Sequence, residues 1–408
     1  MIGTSLLFSG GIAGLLGPGD FATPTAGYSL RPLSVSYSGY VVRVRKDIVG
    51  NPEKDFTASQ LTNGDLEAFM NTFDESAHTL VVYEDFKRGI VPLAKPQQFY
   101  NFEDVSLIAD CITGSSGVLE AHDTLGTLVD HNVEVYTDLE YSTFKLDASL
   151  LSACNTGDVD ELEAFTELSD LQTRNDGYVS KWYDQFGSND ADQSGATEQP
   201  KIWDASTGLV TQGGKPALDF AGDYLEVPSS TGSFNFLHDG TTSAVFGVVT
   251  FGKVANPDVR YSLIGSSAGT ADVGVFISYD DRAIFSFNNS VFSTISKGSS
   301  GNPVADVREN DKITPNEQKL MTTIFDADNA TASLRLRTGI DGGTLFGNNT
   351  DTNAPVPSDA TNNLQIGASG TGGSALTGYL QEIIIYDTDQ SANRTVLETN
   401  INDYYDIF

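Results

Sequence analysis

Residues 244–251 read Ala-Val-Phe-Gly-Val-Val-Thr-Phe, an almost unbroken apolar run of strand length. A strand with one wet face alternates apolar with polar residues, so a continuous run marks a strand buried on both faces. Such a strand needs a layer on each side. Its surroundings read the same way. Segments 273–279 and 283–287 flank Asp280-Asp281-Arg282 as a hairpin, and 320–325 and 332–337 flank 326–329 as another. In the second, alternation turns Leu334 and Leu336 inward and Arg335 and Arg337 outward. Segment 349–363 is a polar loop with Pro355 and Pro357. The chain has 408 residues, 40 of them glycine, and is 39% hydrophobic, which suits short strands joined by many turns. An all-β sandwich can absorb well over about 200 residues as one unit.

The formal net charge is −32, from 55 acidic and 23 basic residues. Such a surface repels a phosphate backbone, so nucleic acid is not expected as a partner. A solvated acidic shell suits a protein held at high copy number on a particle, with divalent cations as natural counterions. Cys111 and Cys154 are too few for a disulfide framework and lack metal-ligand spacing; they read as buried thiols, with one bridge as the alternative. His78, His122, His131 and His238 show no paired spacing, which leaves zinc without ligands. Residues 1–26 begin apolar but carry no early basic residue, and Gly10, Gly11, Gly14 and Gly17 interrupt them. A membrane span is not expected, and a signal peptide is the weaker reading. The segment reads as an extended anchoring arm, buried only against a partner chain.

Residues 42–44, 57–61, 66–69 and 82–86 have counterparts, in the same order, at 133–135, 147–151, 162–165 and 182–186. Four ordered matches point to an internal duplication, although two units do not make a solenoid. The domain reading is therefore residues 1–26 as an arm, 27–117 as the first copy of a duplicated unit plus connector, and 118–408 as the second copy merging into the sandwich. The short acidic segments 64–71 and 158–168 read as one-sided helices packing Leu66 and Phe69, or Leu162 and Phe165, against strands. The connector 87–117, with Pro92, Pro96, Phe99 and Tyr100, is a candidate contact surface.

Residues 177–227 hold both tryptophans, Trp182 and Trp203, and the runs WYDQFGSNDADQ and KPALDFAGDYLEV. These runs resemble the core of concanavalin A-like lectin/glucanase domains, in particular the catalytic domain of fungal α-L-arabinofuranosidase B and similar domains in bacteriophage tail and virion proteins. The residues that carry the likeness are Trp182, Tyr183, Asp184, Asp219 and Tyr224. The run GYSLRPLSVSYSGYVVRVRKD from Gly27 is similar to the opening of the phage-type domains. The close, GYLQEIIIYD followed by a helix over 388–402 and a Tyr-Tyr pair, resembles the last strands of laminin G-like and concanavalin A-like domains, with Val396 and Ile401 expected to face the sandwich. The implied fold is mainly β: a jelly-roll sandwich with a duplicated α+β insertion and an N-terminal extended arm.

A glycosidase needs two carboxyl groups across a cleft. The arabinofuranosidase family places its nucleophilic Glu after vicinal cysteines, but residues 259–268 of this chain contain neither. The family's acid/base Asp falls nearest Tyr279, beside Asp280 and Asp281. No catalytic residue is assigned, and the chain is expected not to be an enzyme. Arg260, Tyr261, Tyr279, Asp280 and Asp281 remain candidates for holding a ligand, with a polar hairpin tip as the plainer reading of the two aspartates. Asp184, Asp190 and Asp192 are oxygen donors that suit Ca2+, the one cofactor considered, or else turn formers. Trp182 and Trp203 are either core or sugar-stacking platforms. No nucleotide-binding or serine-hydrolase motif occurs.

The resemblance implies a bacteriophage virion component, a tail fibre, spike or surface protein, that displays a lectin-like domain and binds host-surface carbohydrate without cleaving it. Its expected partners are other virion proteins through residues 1–26, further copies of itself in a homo-oligomer, and a cell-surface glycan. A secreted glycoside hydrolase and a purely structural capsid or tail component are the alternatives.

Overall fold

A computed structural model describes residues 16–48, 50–71, 100–101, 120–122, 128–130, 135–137, 140–141, 175–252, 259–283 and 288–408. The chain is mainly β and divides into two units. One comprises residues 1–45, 53–63 and 177–408, the other residues 46–52 and 64–176.

The larger unit is a sandwich. Its strands are β1 (Ala26–Ser29), β2 (Tyr40–Lys46), β3 (Glu53–Thr57), β4 (Gly177–Trp182), β5 (Lys201–Asp204), β6 (Leu218–Asp223), β7 (Ser243–Phe251), β8 (Arg260–Gly265), β9 (Val273–Asp280), β10 (Ser290–Lys297), β11 (Ala305–Glu309), β12 (Gln318–Phe325), β13 (Leu336–Ile340) and β14 (Leu376–Tyr386). In one layer β13, β12, β7 and β14 pair antiparallel in that order, and β1 and β6 share the far edge of β14. In the other, β8, β9, β10 and β11 pair antiparallel. Short pairings through Gln365–Ile366, Leu225–Glu226 and Ala191–Asp192 reach β4, and from there β5 and β6, so the sheet returns almost to its start.

The 244–251 run behaves as its sequence requires: every residue of β7 is buried. On one face Ala244, Phe246 and Val248 join Leu320, Ile324, Ile384 and Tyr386 beneath Leu397, Ile401 and Tyr405 of a helix, α2 (Arg394–Tyr405). On the other, the layers meet closely. A Cβ added to Gly247 would lie 2.7 Å from the Leu263 side chain, and the Phe251 and Tyr279 rings stack at 5.5 Å.

Several sequence expectations are corrected. The partner of β9 is β10, with Asp280 opposite Ser290, and not the segment 283–287, most of which lies outside the described residues. The turn is set by Asn289, left-handed at φ +46°, whose amide donates to Asp281. Likewise β13 starts at Leu336, because residues 332–334 form a 3-10 turn. Alternation fails inside that turn: Leu334 is exposed, while Arg335 is buried and donates Nε–H to the Asn329 carbonyl at 2.9 Å. In α2 the stripe at helical spacing is Leu397, Ile401 and Tyr405, and Val396 points outward. Strands β1 and β2, assigned by sequence to the first copy of the duplication, pair with β14 and β4 of the sandwich.

Residues 17–26 are bound to their own chain and are not an arm awaiting a neighbour. Gly19 donates to Leu33 O at 2.8 Å and Thr25 to Ile385 O at 2.8 Å, and a Cβ at Gly17 would fall 2.2 Å from the Leu33 carbonyl. Residues 1–15, both cysteines, the 158–168 segment, the connector 87–117 apart from a described pair at 100–101, and most of the second repeat lie outside the described residues.

In the smaller unit a helix, α1 (Asp65–Asn71), buries Leu66 and Met70, with Phe69 only partly covered. Tyr100–Asn101 pairs in parallel with Val135–Thr137, which pairs antiparallel with Glu140–Tyr141. Glu120–His122 and Leu128–Asp130 form a hairpin.

Candidate functional site

Strand period decides what the 260–281 region can do. Side chains alternate faces, and paired residues share one. Tyr261 lies opposite Tyr279 with their rings stacked at 6.1 Å, and Tyr279 stacks in turn on Phe251. Both tyrosines therefore belong to the interior between the layers and are not on a ligand face. Arg260 and Asp280, also opposite each other, lie on the face turned away from the interior. Asp281 sits in the turn, where its Oδ1 accepts the Asn289 amide at 3.0 Å.

The outer face of β8–β11 carries an arrangement of which Arg260 alone is a sequence candidate. The Arg260 guanidinium lies 4.7 Å over the Phe276 ring, Phe276 meets Phe292 edge-on at 5.2 Å, and Arg308 lies 4.5 Å over Phe292. Cation, ring, ring and cation thus form a ladder across four strands. Hydroxyls fill the gaps. Ser262, Ser278, Thr294 and Ser296 share this face by register, and all are buried. Ser278 donates to the Phe292 carbonyl at 2.8 Å, whereas Ser262 Oγ, Thr294 Oγ1 and Ser296 Oγ have no partner among the described residues. Each of these three oxygens is closed to solvent by the chain itself.

The charges on this face are unequally paired. Asp280 is fully buried; its Oδ1 accepts Arg282 Nε at 2.8 Å and its Oδ2 accepts Arg282 Nη2 at 2.5 Å. Arg308 pairs with Asp306 at 3.0 Å and is 47% exposed. Burial pushes the Asp306 carboxyl above the usual range, opposed by Arg308. Arg260 donates Nε–H to Ser374 Oγ at 2.8 Å and Nη2–H to the Ala268 carbonyl at 3.4 Å, but forms no ion pair among the described residues. Burial, aided by the neighbouring Arg282 charge and opposed by Asp280, pushes its guanidinium down to about 10.

Asp184, Asp190 and Asp192, the expected Ca2+ donors, are engaged by groups of the chain itself. Asp184 Oδ1 accepts the amides of Gly27 and Phe186 at 3.0 Å each, and its Oδ2 accepts the Asn189 amide at 3.2 Å. Asp190 accepts the Asp184 amide at 3.0 Å, and Lys181 pairs with both Asp190 and Asp192. Backbone donors and a lysine hold the oxygens a cation would need. Among the described residues no three His, Cys, Asp or Glu side chains gather to hold a metal.

The other signature residues are structural. Trp182 is buried against Tyr28 with ring centroids 5.9 Å apart, and Trp203 is almost as buried, so neither is a platform. Tyr183 donates to Asp55 at 2.7 Å within an Arg43–Asp55 pair, and the hydrogen bonds from Arg43 hold the Asp55 carboxyl low. Asp219 is half-buried and pushed up by burial, and the Tyr224 amide donates to Glu198 O at 3.2 Å.

No protein-family model and no curated protein matches the sequence. Among solved structures, the CBM40 module of a Ruminococcus gnavus intramolecular trans-sialidase, bound to α2,3-sialyllactose, aligns with 45% of this chain and 96% of its own at 11% identity and TM-score 0.34. The leech intramolecular trans-sialidase aligns with 45% of this chain and 27% of its own (17% identity, TM-score 0.34), and Trypanosoma rangeli sialidase with 55% and 31% (14% identity, TM-score 0.36). The chain thus spans less than a third of either sialidase. Likenesses of this size concern the mainly-β sandwich kind of fold and nothing finer. They do correct one expectation. Sialidases stand beside a binding module among the similar structures, so the reading of the chain as a non-enzyme is withdrawn.

Proposed function

We propose that the outer face of β8–β11 binds carbohydrate. The observation that carries this reading is the Arg260–Phe276–Phe292–Arg308 ladder, whose terminal Arg308 is 47% exposed. A sugar offers hydroxyls that donate and accept, and guanidiniums laid flat on rings turn their N–H edges to such a ligand.

We further propose that the chain displays this face on a bacteriophage particle, as an oligomer among other virion proteins. The support is the resemblance of residues 27–47 and 177–227 to phage-type domains, together with an acidic shell suited to crowding on a particle. Multivalent display would multiply individually weak sugar contacts.

The test is a glycan array probed with the full chain, followed by calorimetric titration of any hit against Arg308→Ala. Arg308 is 47% exposed, so the melting temperature should change little while glycan affinity falls. A wild-type chain that retains no glycan, or an Arg308→Ala variant that binds as well as wild type, refutes the assignment.

A further inference from the structure

We propose a second sugar-binding surface, where β2 begins and β4 ends, on which the ring of Tyr40 stacks against a neutral hexopyranose while Asp192 and Lys181 hold its hydroxyls. It shares no residue with the β8–β11 face and does not depend on it. Tyr40 opens β2 and is 49% exposed. Two neighbours fix its position: Tyr37 donates its phenol to the Tyr40 carbonyl at 2.5 Å, and the Tyr183 ring lies 6.1 Å away, tilted by 42°. Tyr183 is itself locked, since its phenol donates to Asp55 Oδ1 at 2.7 Å and accepts Arg43 Nη2 at 3.1 Å. Lys181 Nζ lies 5.7 Å from the centre of the Tyr183 ring. The same ammonium is 2.6 Å from Asp192 Oδ1 and 3.4 Å from Asp190 Oδ2, and the Asp192 side chain is 40% exposed.

A pyranose presents C–H bonds on the face of its ring and hydroxyls around the rim. An open aromatic ring takes the first, and charged side chains take the second through charge-assisted hydrogen bonds. Here the ring and the charged groups already brace one another, so little conformational freedom remains to be lost on binding. Asp192 gives Oδ1 to Lys181 and keeps Oδ2 for an incoming donor, while the Lys181 ammonium, turned to two carboxylates, keeps a third N–H for an acceptor. One acceptor and one donor side by side match two adjacent sugar hydroxyls. Charge selects among sugars. Arg43 balances Asp55, but Lys181 faces both Asp190 and Asp192, so the local excess is negative and disfavours a glycan carrying carboxylate or sulfate. Size selects against a protein, whose standard interface covers about 800 Å² per partner. A single open ring bordered by ion pairs fits one sugar unit.

The decisive experiment is calorimetric titration of the full chain with cellohexaose, maltohexaose, mannohexaose and chitohexaose, and with oligogalacturonate as the acidic counterpart, for wild type, Tyr40→Phe, Tyr40→Ala, Asp192→Asn and Arg308→Ala. At least one neutral oligomer should bind the wild type more tightly than oligogalacturonate does. Tyr40→Ala should weaken that binding about tenfold, the scale of a lost stacking contact, and Tyr40→Phe should stay within about threefold of wild type because stacking needs no phenol. Asp192→Asn should weaken it by about tenfold as well, through loss of a charge-assisted hydrogen bond. Absence of binding by every neutral oligomer, preference for oligogalacturonate, or a folded Tyr40→Ala that binds as well as wild type overturns the assignment. A loss that follows Arg308→Ala and not Tyr40→Ala also overturns it, and leaves the β8–β11 face as the site. If Tyr40→Ala does not fold, Asp192→Asn decides, and unchanged affinity in that variant overturns the proposal.

Discussion

Replacing Glu382 with leucine tests how the sandwich is closed. Glu382 lies in β14, almost fully buried, and accepts four hydrogen bonds: from Ser29 Oγ at 2.9 Å, Arg31 Nε at 2.8 Å, Arg31 Nη2 at 2.9 Å and Tyr405 OH at 3.2 Å. One carboxylate therefore joins β1, the segment after it and α2. Arg31 is itself buried, with Tyr404 4.5 Å and Tyr405 5.4 Å from its guanidinium. Glu382→Leu leaves that cation in the interior without its counter-charge, which costs about 3–5 kcal/mol. Arg31→Met should cost a similar amount by stranding the carboxylate. The double replacement removes both charges and leaves only the Ser29 and Tyr405 hydroxyls short of a partner, a loss of about 1–2 kcal/mol. Urea unfolding of the four proteins, compared by midpoint at unchanged slope, reads these values. The order of stability should be wild type, double variant, then the two single variants. A double variant less stable than either single one, or a Glu382→Leu loss below about 1 kcal/mol, would show that the cluster does not join these elements.

Asp184→Ala should destabilise the chain by about 2 kcal/mol or more in the same assay, since it strands the Gly27, Phe186 and Asn189 amides; any Ca2+-induced change in melting temperature should be the same in variant and wild type. Gly378→Ala should cost about 3 kcal/mol or more, because its φ is +140° and a Cβ would meet the Thr250 carbonyl at 2.0 Å, whereas Gly214→Ala meets nothing within 4 Å and should cost less. His238 is buried with Nε2 on the Ser358 carbonyl and Nδ1 without a partner among the described residues, and burial lowers its pKa below 6.5. As pH falls below 6.5 the unfolded chain takes up a proton that the folded chain refuses, so stability should decline until the folded pKa is reached. His238→Gln should flatten that part of a melting-temperature profile, and an unchanged slope would remove His238 as its source.

Much of the fold could be read along the chain. The 244–251 run demanded two covering layers and has them, and the closing strand with its helix lies where the final residues suggest. These features are legible because burial on two faces or one is written into residue order. Element ends are less so: the turn at Asn289, the 3-10 turn before Leu336 and the choice of Leu397 over Val396 depend on local backbone geometry and on what the neighbouring layer offers.

The sequence by itself determined that Arg260 and Tyr261 point to opposite faces, and that Asp280 and Tyr279 do as well, because the strand period is two. It could not determine which face is the interior. Only the tertiary structure decided that, by laying Phe251 against Tyr279 and Leu263 against Gly247. The same packing turned Phe276 and Phe292 onto the outer face beneath two arginines. It also brought Arg282, and not Arg260, into hydrogen-bond contact with Asp280. A pattern along one strand records alternation, whereas the identity of each face depends on which distant strands come to lie over it.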